Sequence, residues 1–272
     1  MVSIASPFKG SFEAIIKIAT GTANLGTSAP SSREREAARI IPSLYHLLPT
    51  CEGITAPASI SKDVFDPAMW QQSILDTLQE YIRLHGVSEK NPAKQAKELF
   101  DSLLQTAKSH RQRINGLDLK NTGLTHSDWL CIAGVDSTTR VGVEVNKDKT
   151  GVCFNFNNAD RANNWGKAVP VKQKMLTGDG TVPLKAAIPD FLEMKNIVCL
   201  TPDDFGYWEL QDKALVKVAG FHGLITNMNV IHRLIVRHFT GRPDAYKNTW
   251  GRSLPGITER QWEPPFELYW KK

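Results

Sequence analysis

A chain of 272 residues, 41% hydrophobic and 22% charged, is long enough for a globular domain with a substantial core and an inserted subdomain, and too apolar for a disordered chain. Its 33 basic and 28 acidic residues leave a charge of +5 spread along the sequence, so no basic block points to nucleic acid or an anionic membrane surface. No apolar run approaches the roughly 20 residues that span a bilayer, so no transmembrane segment is expected.

Residues 2–5 are expected as a short buried strand that stops at Ser6-Pro7, because Pro7 supplies no ladder donor and pushes Ser6 to extended geometry. Phe12, Ile15, Ile16 and Ala19 have helical spacing, with Ser11 as cap and Gly21 as stop. A Gly/Ser/Pro-rich loop follows, then a helix over 33–41 that Pro42 ends.

Asp66-Pro67 and Asn91-Pro92 each place a capping side chain before a proline, and Gly86 and Gly116 stand where two helices of similar length should end. The first carries Trp70, Ile74, Leu78 and Ile82, and the second Leu99, Phe100, Leu103, Leu104 and Ala107. This spacing predicts a helical hairpin with one apolar face; Lys108, Arg111 and Arg113 are read as part of a polar, basic remainder suited to the helix dipole.

Residues 129–135 and 197–200 read as buried strands, and 141–145 with 152–156 as a β-hairpin around the polar turn 146–150. A fourth apolar run, 214–219, leads into His222, and Leu224, Met228, Ile231, Ile235 and Phe239 predict one helix from His222 to Gly241. The Trp- and Pro-rich tail is expected to wrap over the surface. The four cysteines, Cys51, Cys131, Cys153 and Cys199, lack C-x-x-C spacing and read as buried free thiols.

Chemistry concentrates in Thr177-Gly178-Asp179-Gly180-Thr181-Val182-Pro183 and in Gly220-Phe221-His222-Gly223-Leu224. Asp-Gly alone is a turn, and a histidine at a helix start is commonly a surface residue. Their order, acid loop then histidine at a strand-to-helix junction, fits the acid and base of a hydrolase triad at the carboxyl edge of a sheet. Asp179 would hold one tautomer of His222, and His222 would move the proton of a serine hydroxyl.

No G-x-S-x-G elbow occurs in the sequence. Ser6-Pro7-Phe8-Lys9 matches S-x-x-K only formally, because Pro7 keeps Ser6 out of a helix, and Ser11 has Glu13 where an elbow needs glycine. His222, His232 and His238 match no zinc spacing. No metal or cofactor is expected.

These blocks resemble the C-terminal half or more of the lecithin:cholesterol acyltransferase-like branch of the α/β-hydrolases. Ile4-Ala5-Ser6-Pro7-Phe8-Lys9-Gly10-Ser11 is similar to the strand and turn after the nucleophile helix. Pro42-Ser43-Leu44-Tyr45-His46-Leu47-Leu48-Pro49 is similar to the lead into the lid, and Cys131-Ile132-Ala133-Gly134 to the strand before the acid loop. The acid loop around Asp179 and the helix start at His222 complete the resemblance.

It implies an α/β fold: the C-terminal part of a hydrolase sheet over 1–49 and 127–272, a helical lid inserted at 50–126, and a β-hairpin excursion. Asp179 and His222 are the residues it carries over, and a lipid or other acyl ester is the implied substrate. The nucleophile is expected upstream of Met1, so the chain alone should be inactive, and an N-terminal fragment or partner chain should cover the exposed sheet edge. The lid's apolar stripe can equally be ordinary core, and a non-catalytic binding protein that kept the scaffold is the alternative. The compartment is left open, with the cytoplasm favoured.

Overall fold

A computed structural model describes residues 1–22, 31–86, 90–149 and 151–271. Its contacts define two compact units, Lys9–Ile114 with Gly142–Asp160, and Met1–Phe8 with Asn115–Val141 and Arg161–Lys272. The division expected from sequence, 1–49 with 127–272 against 50–126, is drawn elsewhere: the first helices and the β-hairpin share an apolar core with the long helices.

In the helical unit, α1 (Phe12–Thr20) starts at Ser11, whose Oγ accepts the Glu13 N–H at 3.2 Å, and stops at Gly21 in the left-handed region. The loop expected next falls mostly on residues 23–30, outside the described residues. A reciprocal capping box between Ser31 and Glu34 opens α2 (Ser32–Ile40), and Pro42 starts a separate helical turn.

Two longer helices follow, α3 (Gln72–His85) and α4 (Pro92–Asn115). Asn91 caps α4 by accepting the Lys94 N–H at 3.2 Å. Asp66 does not cap α3: it caps a 3₁₀ turn, Pro67–Met69, after which Trp70 is extended. The link between the helices includes residues 87–89, which lie outside the described residues.

Ile74, Leu78 and Ile82 of α3 join Phe100, Leu103, Leu104 and Ala107 of α4 in one core with α1 and the β-hairpin. Each of the Ile, Leu and Phe side chains among these contributes about 1.5–3 kcal/mol when fully buried. Trp70 packs edge-on against Phe100 with centroids 6.2 Å apart, and lies 5.2 Å from Phe154. The buried Arg39 guanidinium clasps α1 and α3 to α2 by donating to the carbonyls of Ile18, Ala19 and Ser73 and to the Thr77 hydroxyl. Arg111, assigned from sequence to the polar side of α4, is buried and donates to the His46 carbonyl; desolvation pushes its pKa down to about 10.

The hairpin pairs Val143–Asp148 with Gly151–Asn155, the first strand running further than expected. Of the turn expected over 146–150, Thr150 lies outside the described residues.

The second unit is built on three parallel strands in the order β1 (Val2–Ile4), β2 (Leu130–Gly134), β3 (Val198–Leu200). Every residue of the central β2 is buried, which is why its sequence is continuously apolar rather than alternating. The outer side of β3 is closed by an antiparallel bridge in which Cys199 and Arg252 exchange hydrogen bonds of 2.8 and 3.1 Å. Among the described residues β1 has no strand on its other side.

The run 214–219 is not a strand. It belongs to a helix, α5 (Leu210–Ala219), whose exposed Leu210, Ala214 and Leu215 recur at helical rather than alternating positions. The helix expected from His222 to Gly241 is also interrupted. A turn at Phe221–Leu224 gives way to a 3₁₀ turn at Ile225–Asn227, and α6 (Asn229–Thr240) begins after the extended Met228. Glu209 accepts the Asn229 N–H at 2.7 Å and so caps α6 from another element. Val230, Ile231 and Leu234 form its buried face, while Phe239 is exposed, against expectation.

The tail does more than cover surface. Trp250–Gly251 pairs in parallel with Tyr269–Trp270, and Trp262 donates its indole N–H to the Ile197 carbonyl at 2.8 Å. Overall the chain mixes helices with small sheets.

Candidate active site

Strand β2 ends at Gly134, and the residues after it anchor the acid loop. The Ser137 N–H donates to the Gly178 carbonyl at 3.0 Å, and the Asp136 N–H to Thr177 Oγ1 at 3.1 Å. Thr177 Oγ1 donates to Asn163 Oδ1, whose amide donates back to Asp136 Oδ1, both at 2.9 Å. Thr139 Oγ1 accepts the Gly180 N–H at 2.8 Å, and Gly180 itself has φ +97°, a geometry that favours glycine.

This loop fixes the carboxylate of Asp179, which is 1% exposed. Oδ1 accepts the N–H groups of Thr181 at 2.9 Å and Val182 at 2.7 Å, leaving Oδ2 to meet His222 Nδ1 at 2.8 Å. Gly134 makes room for it: a Cβ there would stand 2.6 Å from the Asp179 Cβ and 3.0 Å from Ile225 Cδ1.

His222 lies in the short turn after α5, following Gly220 at φ +79°. The junction is therefore helix to helix, not strand to helix as the sequence pattern implied. The His222 backbone N–H also donates to the Asp179 carbonyl at 2.9 Å. The side chain is 38% exposed, and among the described residues nothing is hydrogen-bonded to Nε2. The hydrogen bond with Asp179 raises the His222 pKa; partial burial opposes this and the charge of Asp179 adds to it.

The two residues singled out from sequence are thus brought together. Of their support, Thr177 opens the run already singled out, whereas Asp136, Asn163 and Thr139 carry no spacing signal, because their contacts form only when chain segments 14 to 41 residues apart meet. Ser6 and Ser11 are engaged locally, Ser6 Oγ with the Ile4 carbonyl at 3.4 Å and Ser11 as the cap of α1. His232 is exposed, its Nε2 lying 2.9 Å from the Thr226 carbonyl, and His238 is half-buried. All four cysteines are free; Cys131 and Cys199 are buried, and burial pushes the Cys131 thiol up to about 11. Cys51 and Cys153 are only half-buried, less than the sequence reading implied.

Among the described residues no three His, Cys, Asp or Glu side chains are grouped as a metal site requires, and no helix is long and apolar enough to cross a membrane. No protein-family model matches the chain, and no curated protein matches it.

The arrangement can move a proton. With Asp179 accepting the Nδ1 proton, Nε2 carries the lone pair and acts as base toward a hydroxyl; once protonated, the imidazolium is stabilised by the buried carboxylate and can return the proton to a leaving group.

Proposed function

We propose that Asp179 and His222 are the acid and base of a serine-dependent acyl-ester hydrolase or acyltransferase of the α/β-hydrolase type, acting on a lipid or similar acyl ester. The observation that carries this reading is the Asp179 Oδ2–His222 Nδ1 contact of 2.8 Å, between a carboxylate held by its own loop and a ring whose second nitrogen has no hydrogen-bond partner among the described residues. The chain order of acid then base, and the parallel order β1-β2-β3 with the acid loop beside the carboxyl end of β2, support it.

In this reading the serine comes from outside these 272 residues, since the sequence contains no G-x-S-x-G. The helices over 50–126 act as the lid, and the free side of β1 takes the segment that brings the serine. Without a nucleophile and the N–H that follows it in an oxyanion hole, acid and base cannot form an acyl-enzyme. The absent elbow also favours a second reading, a binding protein on a degenerate hydrolase scaffold.

One experiment separates them. The 272-residue chain and a form extended by upstream in-frame sequence are assayed on p-nitrophenyl esters and labelled with a fluorophosphonate. The first should show no turnover above background. The second should turn over and be labelled on an upstream serine; an inert, unlabelled extended form supports the binding-protein reading. Turnover by the shorter chain, abolished by the same reagent, rejects an external nucleophile.

A further inference from the structure

A cavity of about 370 Å³ lies between α6 and the loop 242–249, and three arginines, Arg233, Arg237 and Arg242, line it. Two of them are hydrogen-bonded through Nε: Arg233 donates to the Asn248 carbonyl at 2.8 Å, and Arg237 to the Arg242 carbonyl at 3.1 Å. Trp250 lies under Arg233 at 5.5 Å and Phe266 under Arg237 at 5.2 Å, so both guanidinium planes are also held by rings. The side chain of Arg242 has no hydrogen bond or ion pair among the described residues.

The acidic groups nearby, Asp244 and Glu209, offset only part of this charge. Asp244, the one carboxylate lining the cavity, already accepts the N–H groups of Asn248 at 3.2 Å and Thr249 at 2.8 Å, and is 3.9 Å from Arg237. Glu209, whose charge also reaches Arg233, is buried and accepts the N–H groups of Gly206 and Asn229. With Arg237 paired to Asp244, the terminal N–H groups of Arg233 and the side chain of Arg242 are left without a hydrogen bond or ion pair among the described residues.

We propose that this cavity binds the phosphoryl group of a small phosphomonoester or phosphodiester. Guanidinium groups of more than one arginine lining a single cavity suit an anion with three or four acceptor oxygens better than a carboxylate with two. Val236, Pro243 and Ala245 give the cavity an apolar wall for the organic part of the ligand, and the exposed Tyr246 stands at its rim. The site is separate from the Asp179–His222 pair and does not rest on the reading of that pair. A soluble phosphate ester and a lipid headgroup present the same chemistry, and the test separates them.

The purified protein is titrated with glycerol 3-phosphate by calorimetry, and with phosphatidylcholine vesicles with and without phosphatidic acid by co-sedimentation. Saturable binding is expected in at least one arm: binding of glycerol 3-phosphate marks a soluble ligand, and binding only to vesicles containing phosphatidic acid marks a headgroup. Arg242→Gln and Arg233→Gln should each weaken it by about tenfold or more, as loss of a charge-assisted fork implies. Lys172→Gln, which removes one exposed charge from another turn of the same unit, should leave it unchanged. Arg242→Gln disturbs no bond of the fold, so it keeps the test decisive if Arg233→Gln does not fold. No saturable binding in either arm, or equal loss in Arg242→Gln and Lys172→Gln, overturns the proposal.

Discussion

Asp179 and His222 are joined twice, once through Oδ2 and Nδ1 at 2.8 Å and once through the Asp179 carbonyl and the His222 N–H at 2.9 Å. The backbone bond fixes where the histidine enters its turn, and the side-chain bond fixes which nitrogen faces the acid. A ring held at both levels keeps its tautomer without relying on a bound substrate, the preorganisation that general-base chemistry requires.

The first prediction concerns protonation. By NMR, His222 should titrate above the ordinary histidine value of about 6.5, and Asp179→Asn should bring it down. Because the folded-state pKa is raised, the stability the pair contributes is fully present below the unfolded value and is lost as pH rises through the folded one. Denaturation of wild type and Asp179→Asn should therefore differ most in mildly acidic buffer and converge across that window. A His222 resonance indifferent to Asp179→Asn would contradict the contact.

Gly134 offers a steric test. An alanine methyl would lie 2.6 Å from the Asp179 Cβ, and Asp179 cannot retreat easily because its carboxylate is tied to Thr181 and Val182. Gly134→Ala should cost about 1–3 kcal/mol by thermal or urea denaturation, the range for overpacking. The His222 titration should also move toward the ordinary value. Unchanged stability and titration together would mean that the acid loop yields to the extra methyl and does not hold Asp179 rigidly.

How much of this was legible depends on where the information sits. The strands at 2–4, 130–134 and 198–200 announce themselves as apolar runs because parallel strands are buried on both faces. The same logic misreads 214–219, where a short apolar run with no period belongs to a half-exposed helix. Capping gave Ser11 and Asn91 correctly but not Asp66, whose proline begins a 3₁₀ turn rather than α3. Asp179 and His222 stood out because glycines and a turn sequence surround them. Arg111 and Asn163 could not, since a buried arginine and a loop asparagine take their roles from carbonyls and side chains 65 and 14 residues away.

Asp204 supports a prediction about stability. Its buried carboxylate accepts from the Thr201 N–H at 2.9 Å, Trp250 Nε1 at 2.9 Å, Lys271 Nζ at 3.0 Å and the Arg252 guanidinium, and so ties the tail to the end of β3. Burial raises its pKa, but the hydrogen bonds from Arg252 and Thr201 and the charge of Arg252 outweigh that and hold it below the usual range. Asp204→Asn leaves Arg252 buried without its counter-charge and should cost about 3–5 kcal/mol. As the folded pKa is depressed, wild-type stability from this group is present above the unfolded value of about 3.9 and falls as pH drops through the folded one. A loss below about 1 kcal/mol, the value of a surface pair, would show that the cluster is solvated.

The last prediction tests chemistry in whichever form of the protein turns over esters. Asp179→Asn keeps an oxygen for Thr181 and Val182 but presents an amide to Nδ1, so His222 must take its proton on Nε2 and cannot act as base there. In a serine protease triad that change lowers turnover by about 10⁴-fold, and a loss of that order in kcat, with KM little changed, is expected. His222→Ala should do comparable damage, and the double variant little more, because members of one proton-transfer unit are strongly non-additive. Multiplying losses would indicate two separate roles. Activity within a few-fold of wild type in both single variants would make Asp179 a turn residue and His222 a helix-start residue, and the base would have to be sought on another side chain.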